Sequence, residues 1–295
     1  MKNKFSWPHY PLPWPDPLVP SYKRVSIGKW KCEPTPAGDR IMGYFRPHNF
    51  APSGWMFTQK VDNNWLKWMS LAPMELESHM PHIAAAHGTV VVAGLGMGFY
   101  VYNIIRNPKV TRVIVLEKDK AVVNLWKRAI NPEEWHGFRK VELVMGDALT
   151  YKPDTPVDFL YADIWPYLGD CQALEITQKL QSNIQAKEVG FWGQEFDFMS
   201  WVIKQKRTGP VEQKRTGPVD SRFTQANYLA FCNEVELPLV ERQSKRYPKL
   251  AFVAVTLQTS INPSVSKDDG ARLTIQALGV LQHDLVLDHA VKADE

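Results

Sequence analysis

Residues 90–100 read Val-Val-Val-Ala-Gly94-Leu-Gly96-Met-Gly98-Phe-Tyr. Four apolar residues in a row, three of them β-branched, describe a strand buried on both faces rather than one that alternates between core and solvent. Three glycines at alternate positions follow, and then a helical run. Glycine serves such a turn because the backbone must bend tightly and approach a ligand more closely than a β-carbon allows. On either side the same alternation continues. A helix is expected over 73–87, a strand over 89–95, a helix over 99–106, a strand over 112–117 and a helix over 120–130. Strands at 141–145 and 159–163, a helix at 171–184 and a strand at 188–192 complete the series. Continuous apolar strands joined by short connections predict an α/β fold, a doubly wound, mostly parallel Rossmann-like sheet.

The flanks differ in character. Residues 21–72 carry strand-like runs at 22–32, 39–45 and 54–61 between Pro, Gly and Asn turns, which predicts a small N-terminal β-rich domain. Residues 1–20 hold six prolines interleaved with Trp7, Tyr10 and Trp14, the composition of an extended arm anchored by its aromatics. Beyond residue 192 come helices at 196–206 and 222–234 and an apolar run at 250–257 that reads as a strand. Gln205-Lys-Arg-Thr-Gly-Pro-Val211 recurs as Gln213-Lys-Arg-Thr-Gly-Pro-Val219. One repeat cannot build a solenoid, so it reads as a surface loop made by a short duplication, or as a basic lid for an anionic substrate. The main α/β domain is expected over 73–260 and a polar C-terminal tail over 261–295.

Composition narrows the function classes. The 295 residues are 44% apolar and 22% charged, which excludes wholesale disorder. Basic residues exceed acidic ones by 35 to 31, too small a surplus to argue for nucleic acid by itself. Cys32, Cys171 and Cys232 are too scattered for a disulfide framework or a zinc pair, so no metal is expected. No stretch approaches a membrane span and no signal-peptide core follows the basic N-terminus, so the chain reads as soluble and cytoplasmic.

The candidate site lies at the strand ends. Glu117 closes the strand that follows the glycine loop, 19 residues past Gly98, where a carboxylate can accept both hydroxyls of an adenosine ribose. Phe99 stands where the dinucleotide fingerprint requires glycine, which disfavours a pyrophosphate. Gly146-Asp147-Ala148 follows the third strand, and Asp147 can accept from an adenine amine. The fourth strand ends in Tyr161-Ala162-Asp163-Ile164-Trp165. Open α/β sheets bind ligands at these carboxyl ends, where Glu117, Asp147 and Asp163 all sit. Asp163 either orients a substrate amine or accepts its proton, or else it bonds backbone amides at the strand end. Trp165 and Tyr167 form either an aromatic wall for a cation or flat substrate, or ordinary core. Glu77, His79 and His82 fall on different sides of a helix and do not make one metal set, though His79 can face the pocket. Trp192, Gln194 and Glu195 are placed at the same sheet edge, within reach of substrate.

The glycine loop with Glu117, Asp147 and Asp163 resembles the class I S-adenosylmethionine-dependent methyltransferases, and within them the spermidine-synthase-like branch. The resemblance spans roughly 73–192 and includes an echo of that branch's helix in Met74-Glu-Leu-Glu-Ser-His79-Met-Pro81-His82. It implies S-adenosylmethionine as cofactor, with Gly94, Gly96, Gly98 and Ala148 lining it, Glu117 on the ribose and Asp147 on the adenine. Asp163 would take the catalytic position, with His79, Trp165 and Tyr167 toward the acceptor. Two departures stand out. Met97 and Phe99 occupy the part of the loop where the synthases keep an acidic residue, and Ile164-Trp165-Pro166 replaces their second aspartate. The expectation is therefore methyl transfer to an unidentified, small-molecule acceptor. Alternatives are aminopropyl transfer from decarboxylated S-adenosylmethionine, or a non-catalytic binding or scaffold module. A nucleic-acid target has no motif in its favour, and a homodimer is suggested only by the resemblance.

Overall fold

A computed structural model describes residues 12–208, 222–240 and 245–261. The N-terminal part is antiparallel: β1 (Val25–Ile27), β2 (Trp30–Pro34), β3 (Gly38–Met42), β4 (Pro47–Ala51), β5 (Trp55–Val61) and β6 (Asn64–Ser70). Strands β1, β2, β5 and β6 form one sheet in that order, and β3 pairs with β4 in a separate hairpin. Two short helices follow, α1 (Pro73–Ser78) and α2 (Met80–Ala85). Then come β7 (Gly88–Ala93), α3 (Phe99–Ile104), β8 (Val110–Glu117), α4 (Lys120–Ile130), β9 (Val141–Met145), β10 (Phe159–Ala162), α5 (Ala173–Ile184) and β11 (Glu188–Phe191). Helices α6 (Gln194–Thr208), α7 (Gln225–Glu234) and α8 (Tyr247–Ile261) complete the described chain.

The main sheet is five-stranded and wholly parallel, in the order β11-β10-β7-β8-β9. The chain starts at its centre on β7, winds outward through β8 and β9, and crosses back to β10 and β11. The order therefore reverses between β7 and β10, the switch point at which open sheets bind ligands. Residues 90–93, 113–116 and 159–162 are all buried, as expected for strands covered on both faces. The doubly wound α/β sheet with a small antiparallel N-terminal sheet is thus the fold of the chain.

Local chemistry explains the element ends. Asp119 caps α4 by accepting from the Ala121 amide at 2.7 Å, and Asn131 ends it in a left-handed conformation. Pro81 has no N–H, and its ring would meet the Glu77 carbonyl in a continuous helix, so the segment expected as one helix over 73–87 breaks at His79. The run at 250–257 is helix, not strand. It lies in α8, buried all round, and an uninterrupted apolar run carries no period by which to tell the two apart. Strands β4 and β6 were not anticipated. Asn64-Trp-Leu-Lys-Trp-Met-Ser70 is an edge strand exposed along most of its length, so it lacks the buried face that marks a strand in sequence.

The N-terminal sheet does not have a core of its own. Tyr22, Trp30, Cys32, Phe57 and Leu71 pack into the same cluster as the main sheet and α4. Residues 12–20 run without helix or strand, and Leu18 exchanges two hydrogen bonds with the Asn103 side chain on α3, at 2.8 and 2.9 Å. The β3–β4 hairpin is pinned to α1 by Glu77, which is 3% exposed. Its carboxylate accepts from the Phe45 amide at 2.9 Å and from Arg46 Nε at 2.8 Å, and lies 2.6 Å from His48 Nε2. The second copy of the repeat and the tail from 262 lie outside the described residues. Among the described residues no helix is long and apolar enough to cross a membrane.

Removing Glu77 takes the acceptor from the Phe45 amide and one of two carboxylates from the buried Arg46 guanidinium, which keeps Asp16 at 2.6 Å. Glu77→Ala is expected to lower unfolding free energy in denaturant by about 3–5 kcal/mol, and Leu66→Ser on exposed β6 by no more than about 0.5 kcal/mol. Similar small losses for both would show that the hairpin is not anchored through Glu77.

Candidate functional site

The turn after β7 is held by its glycines. Gly94, Gly96 and Gly98 have φ of +98°, +54° and +74°, a region in which a β-carbon is strained. Each also has a different neighbour at close quarters. A β-carbon on Gly94 would lie 2.2 Å from the Asp163 carbonyl oxygen, one on Gly96 2.6 Å from the Met69 methyl, and one on Gly98 2.1 Å from Trp126 Nε1. The loop is therefore clamped between the end of β10, the N-terminal sheet and α4. The Tyr22 hydroxyl adds a hydrogen bond to the Met97 carbonyl at 2.8 Å.

Glu117, at the end of β8, sits beside this loop. One carboxylate oxygen accepts from the Leu95 amide at 3.2 Å and the other from the Asp119 amide at 2.9 Å. Each oxygen keeps a lone pair for another donor. The Glu117 carbonyl in turn accepts from the Gly146 amide at 3.0 Å, which fixes the 146–148 turn one strand further out. Asp147 is exposed and caps the short turn beginning at the buried Ala148, with one oxygen on the Leu149 amide at 2.9 Å. A β-carbon on Gly146 would meet nothing within 4 Å, so the space beside Asp147 is open.

A small open cleft lies beside the loop. Gly94, Gly96 and Gly98 line it together with His79, Asp163, Glu75, Tyr161, Phe99, Tyr100 and residues 69–71. His79 is buried, with Nδ1 2.7 Å from the Glu75 carbonyl and Nε2 3.4 Å from Asp163 Oδ2. A carbonyl can only accept, so Nδ1 carries a proton, and Nε2 faces the Asp163 carboxylate favourably only as imidazolium. Burial alone would lower the His79 pKa, but the Asp163 hydrogen bond and the Asp163 and Glu75 charges outweigh it and raise the pKa above 6.5. Glu75 is pushed up to about 7, chiefly by burial. Both groups hold protons more tightly folded than unfolded. The His79 pair's stabilisation is therefore complete below 6.5 and is lost as pH rises through its folded value. Glu75 lowers stability as pH rises from 4.5 to about 7.

Other expected residues fall elsewhere. Glu117, Asp147 and Ala148 lie along the strand ends, next to the cleft rather than in its lining. Trp165 is buried against Phe191, with ring centroids 6.2 Å apart, and Tyr167 is 72% exposed, so the two do not form one aromatic wall. Trp192, Gln194 and Glu195 are buried in packing. Trp192 Nε1 donates to Ser78 Oγ at 2.9 Å, and Glu195 accepts the hydroxyls of Tyr44 and Tyr247 at 2.8 and 2.6 Å. They were expected within reach of substrate because they follow a strand end, but helix α8 and the β3–β4 hairpin cover that corner. His82 is buried against Tyr161, and burial lowers its pKa to about 3. Among the described residues no group of three or more His, Cys, Asp or Glu forms a metal site.

Glu75 and Tyr161 were not anticipated. Both had a readable signal: Glu75 lies one turn before His79 on the same helical face, and Tyr161 lies two residues before Asp163 on the same side of β10. The N-terminal residues at the cleft, Met69 to Leu71, had none, because only the packing of one sheet on the other brings them there.

The sequence matches no protein-family model and no curated protein. Solved structures similar to part of the chain include a DhpI complex with S-adenosylhomocysteine, at 18% identity and a TM-score of 0.28, covering 37% of this chain and 50% of that one. The CcbJ methyltransferase from Streptomyces caelestis, at 12% identity and a TM-score of 0.28, covers 35% and 45%. A glycopeptide N-methyltransferase, MtfA, bound to S-adenosylhomocysteine has 15% identity and a TM-score of 0.29, with 37% and 43% covered. The chain spans half or less of the length of these structures.

Asp163→Asn is expected to move the His79 pKa down from its raised value, because burial then acts with less opposition. NMR titration of the His79 imidazole measures this. An unchanged midpoint would mean that the two side chains do not pair in solution.

Proposed function

We propose that this chain is an S-adenosylmethionine-dependent methyltransferase of the class I fold, nearest in pattern to the spermidine-synthase-like branch, acting on a small-molecule acceptor. The observation that carries the reading is the row of acceptor groups around the switch point. From β9 inward these are Asp147 with open space beside it, Glu117 with free lone pairs, the left-handed glycine loop, and then Asp163 with His79. This row fits the adenine, ribose and tail of an adenosyl sulfonium in turn. Asp147 would accept from the adenine amine, with the Ala148 backbone beside the base. Glu117 would accept from the ribose hydroxyls, and the 94–98 backbone would run along the tail. When bound, S-adenosylmethionine supplies a methyl group already activated by the sulfonium.

The protein's own residues then have limited work. The loop and Glu117 orient the donor, and alignment with the acceptor matters more than a strong base. Asp163, at the cleft wall, takes the proton that an amine or hydroxyl nucleophile releases. His79, locked through Nδ1 by the Glu75 carbonyl, orients that carboxylate. Trp165 is buried against Phe191, and exposed Tyr167 is free to meet an acceptor at the rim. The catalytic unit extends beyond residues 73–260, because Met69, Ser70 and Leu71 at the end of the N-terminal sheet complete the cleft.

One observation favours a second reading. Glu75 and Asp163 line the cleft, and among the described residues no Lys or Arg does so to receive a donor carboxylate. Aminopropyl transfer from decarboxylated S-adenosylmethionine would suit such a lining, although Met97 replaces the acidic residue of the synthase loop.

Calorimetric titration with S-adenosylmethionine and its decarboxylated form separates the two readings by which one binds tighter. Glu117→Ala is expected to weaken the preferred donor by about 1–3 kcal/mol through loss of charge-assisted hydrogen bonds. Unchanged affinity removes Glu117 from the ribose, and binding of neither donor removes the enzyme reading.

A further inference from the structure

We infer that the β6 edge of the N-terminal sheet is a docking surface for an anionic lipid bilayer, which it meets from one side without spanning it. The inference adds a partner to the chain and does not depend on the adenosyl-binding reading.

Two observations converge on this edge. The first is its apolar surface. Strand β6 ends the order β1-β2-β5-β6, and its outer side pairs with no strand among the described residues. Helix α4 packs against β1 and β2, at the opposite side of the sheet. Residues 60–68 are exposed without a break, and Val61, Trp65, Leu66 and Trp68 are among them. Cross-strand partners share a face, so Trp65 stands with Lys60 on one face while Leu66 stands with Gln59 and Phe57 on the other. The Trp68 ring meets buried Trp30 edge-on at 5.4 Å, on the Gln59 face, yet stays 51% exposed. A half-buried sheet hides its apolar residues on one face and keeps the other polar, whereas this edge shows them on both.

The second observation is charge. Lys31 and Lys67 both lie opposite Thr58, from the strands on either side of it, and so share the face of Trp65 and Lys60. Lys29 joins them at the β1–β2 turn, where its carbonyl accepts from the Lys60 amide at 2.7 Å. None of these four lysines forms an ion pair among the described residues. Lys31 lies over the Trp65 ring instead, 3.6 Å from its centroid. Of the acids on these strands and the hairpin turn, Glu33 accepts the Thr58 hydroxyl at 3.0 Å and Asp62 sits in the turn itself.

The combination selects a bilayer surface. Indole rings and aliphatic side chains enter the boundary between headgroups and acyl chains, and lysines lay their stems along it and pair with lipid phosphates. The backbone of the edge stays in the hydrated headgroup layer, where its polar groups keep water. Other occupants fit less well. A single-stranded nucleic acid needs open aromatic faces, but Lys31 covers one face of Trp65, and Val61 and Leu66 offer none. An added strand meets the irregularity between Phe57 and Thr58, which leaves Trp68 as an extra residue and bends β6. A second copy on the same edge would also set the lysines of both copies together.

The test is co-sedimentation of the full chain with vesicles of phosphatidylcholine alone, and of phosphatidylcholine mixed with phosphatidylglycerol, at low and high salt. Binding is expected to favour the anionic vesicles and to weaken as salt rises. Lys29→Gln combined with Lys60→Gln should weaken it roughly tenfold or more, and Leu66→Ser roughly threefold or more. Both variants should keep the wild-type urea midpoint, which separates lost docking from lost folding. Binding of wild type to neither vesicle, or to both alike, overturns the inference. Equal binding by wild type and both variants overturns it too, because the contact then lies elsewhere. So does a loss in one variant alone, since the surface works by charge and insertion together. Two measurements without lipid cover the other occupants. A dimer that Leu66→Ser converts to monomer in sedimentation equilibrium gives the edge to a second copy. A single-stranded RNA oligonucleotide bound more tightly than the vesicles, and lost in the same variants, gives it to nucleic acid. Either result overturns the bilayer.

Discussion

Three alternate left-handed glycines in a space closed on three sides are the constraint around which this molecule is arranged. The end of β10, the methyl of Met69 and the indole of Trp126 each press on one of them. None of these neighbours is close in sequence, so the loop keeps its shape only while the switch point, the N-terminal sheet and α4 are all in place. The Leu95 amide then faces Glu117, the Met97 carbonyl faces Tyr22, and the cleft opens between the loop and α1. A side chain at any of the three positions would have to displace backbone or a buried ring.

The second organising feature is the cost of buried charge. Glu77, Glu195 and His79 are all buried, and each is answered differently. Glu77 holds a guanidinium and an amide, and Glu195 holds two tyrosine hydroxyls. These two tie the β3–β4 hairpin to α1 and to α6 and α8, and so act as structural pins. His79 is different, since it faces a cleft and its partner Asp163 is partly exposed. The break in the helix at Pro81 makes that difference possible: it turns His79 toward the loop and leaves His82 sealed against Tyr161. Glu75 completes the contrast, being held at the cleft wall with its charge unanswered by a hydrogen bond.

Much of this was legible in the residues. The parallel strands announced themselves because burial on both faces leaves an unbroken apolar run, and Gly94, Gly96 and Gly98 announced the turn because few other residues tolerate positive φ. Glu117, Asp147 and Asp163 could be placed at strand ends from spacing alone. The run at 250–257 could not be typed, since a helix buried all round has the same composition as a buried strand. Trp192, Gln194 and Glu195 were misplaced for a related reason: a strand end marks a position along the sheet, but what later packs over it is set by segments dozens of residues away.

Chain chemistry alone therefore specifies the alternation of strand and helix, the switch-point loop and the acidic residues at the strand carboxyl ends, because all of these depend on neighbours within one or two turns of backbone. Tertiary packing specifies the rest. It pairs His79 with Asp163 across 84 positions of sequence, strands the Tyr161 hydroxyl without a partner, and brings Met69 to Leu71 from another sheet to close the cleft. Protonation follows the same division, since the acidity of Glu75 and His79 depends on burial and on charges that only the folded chain sets beside them.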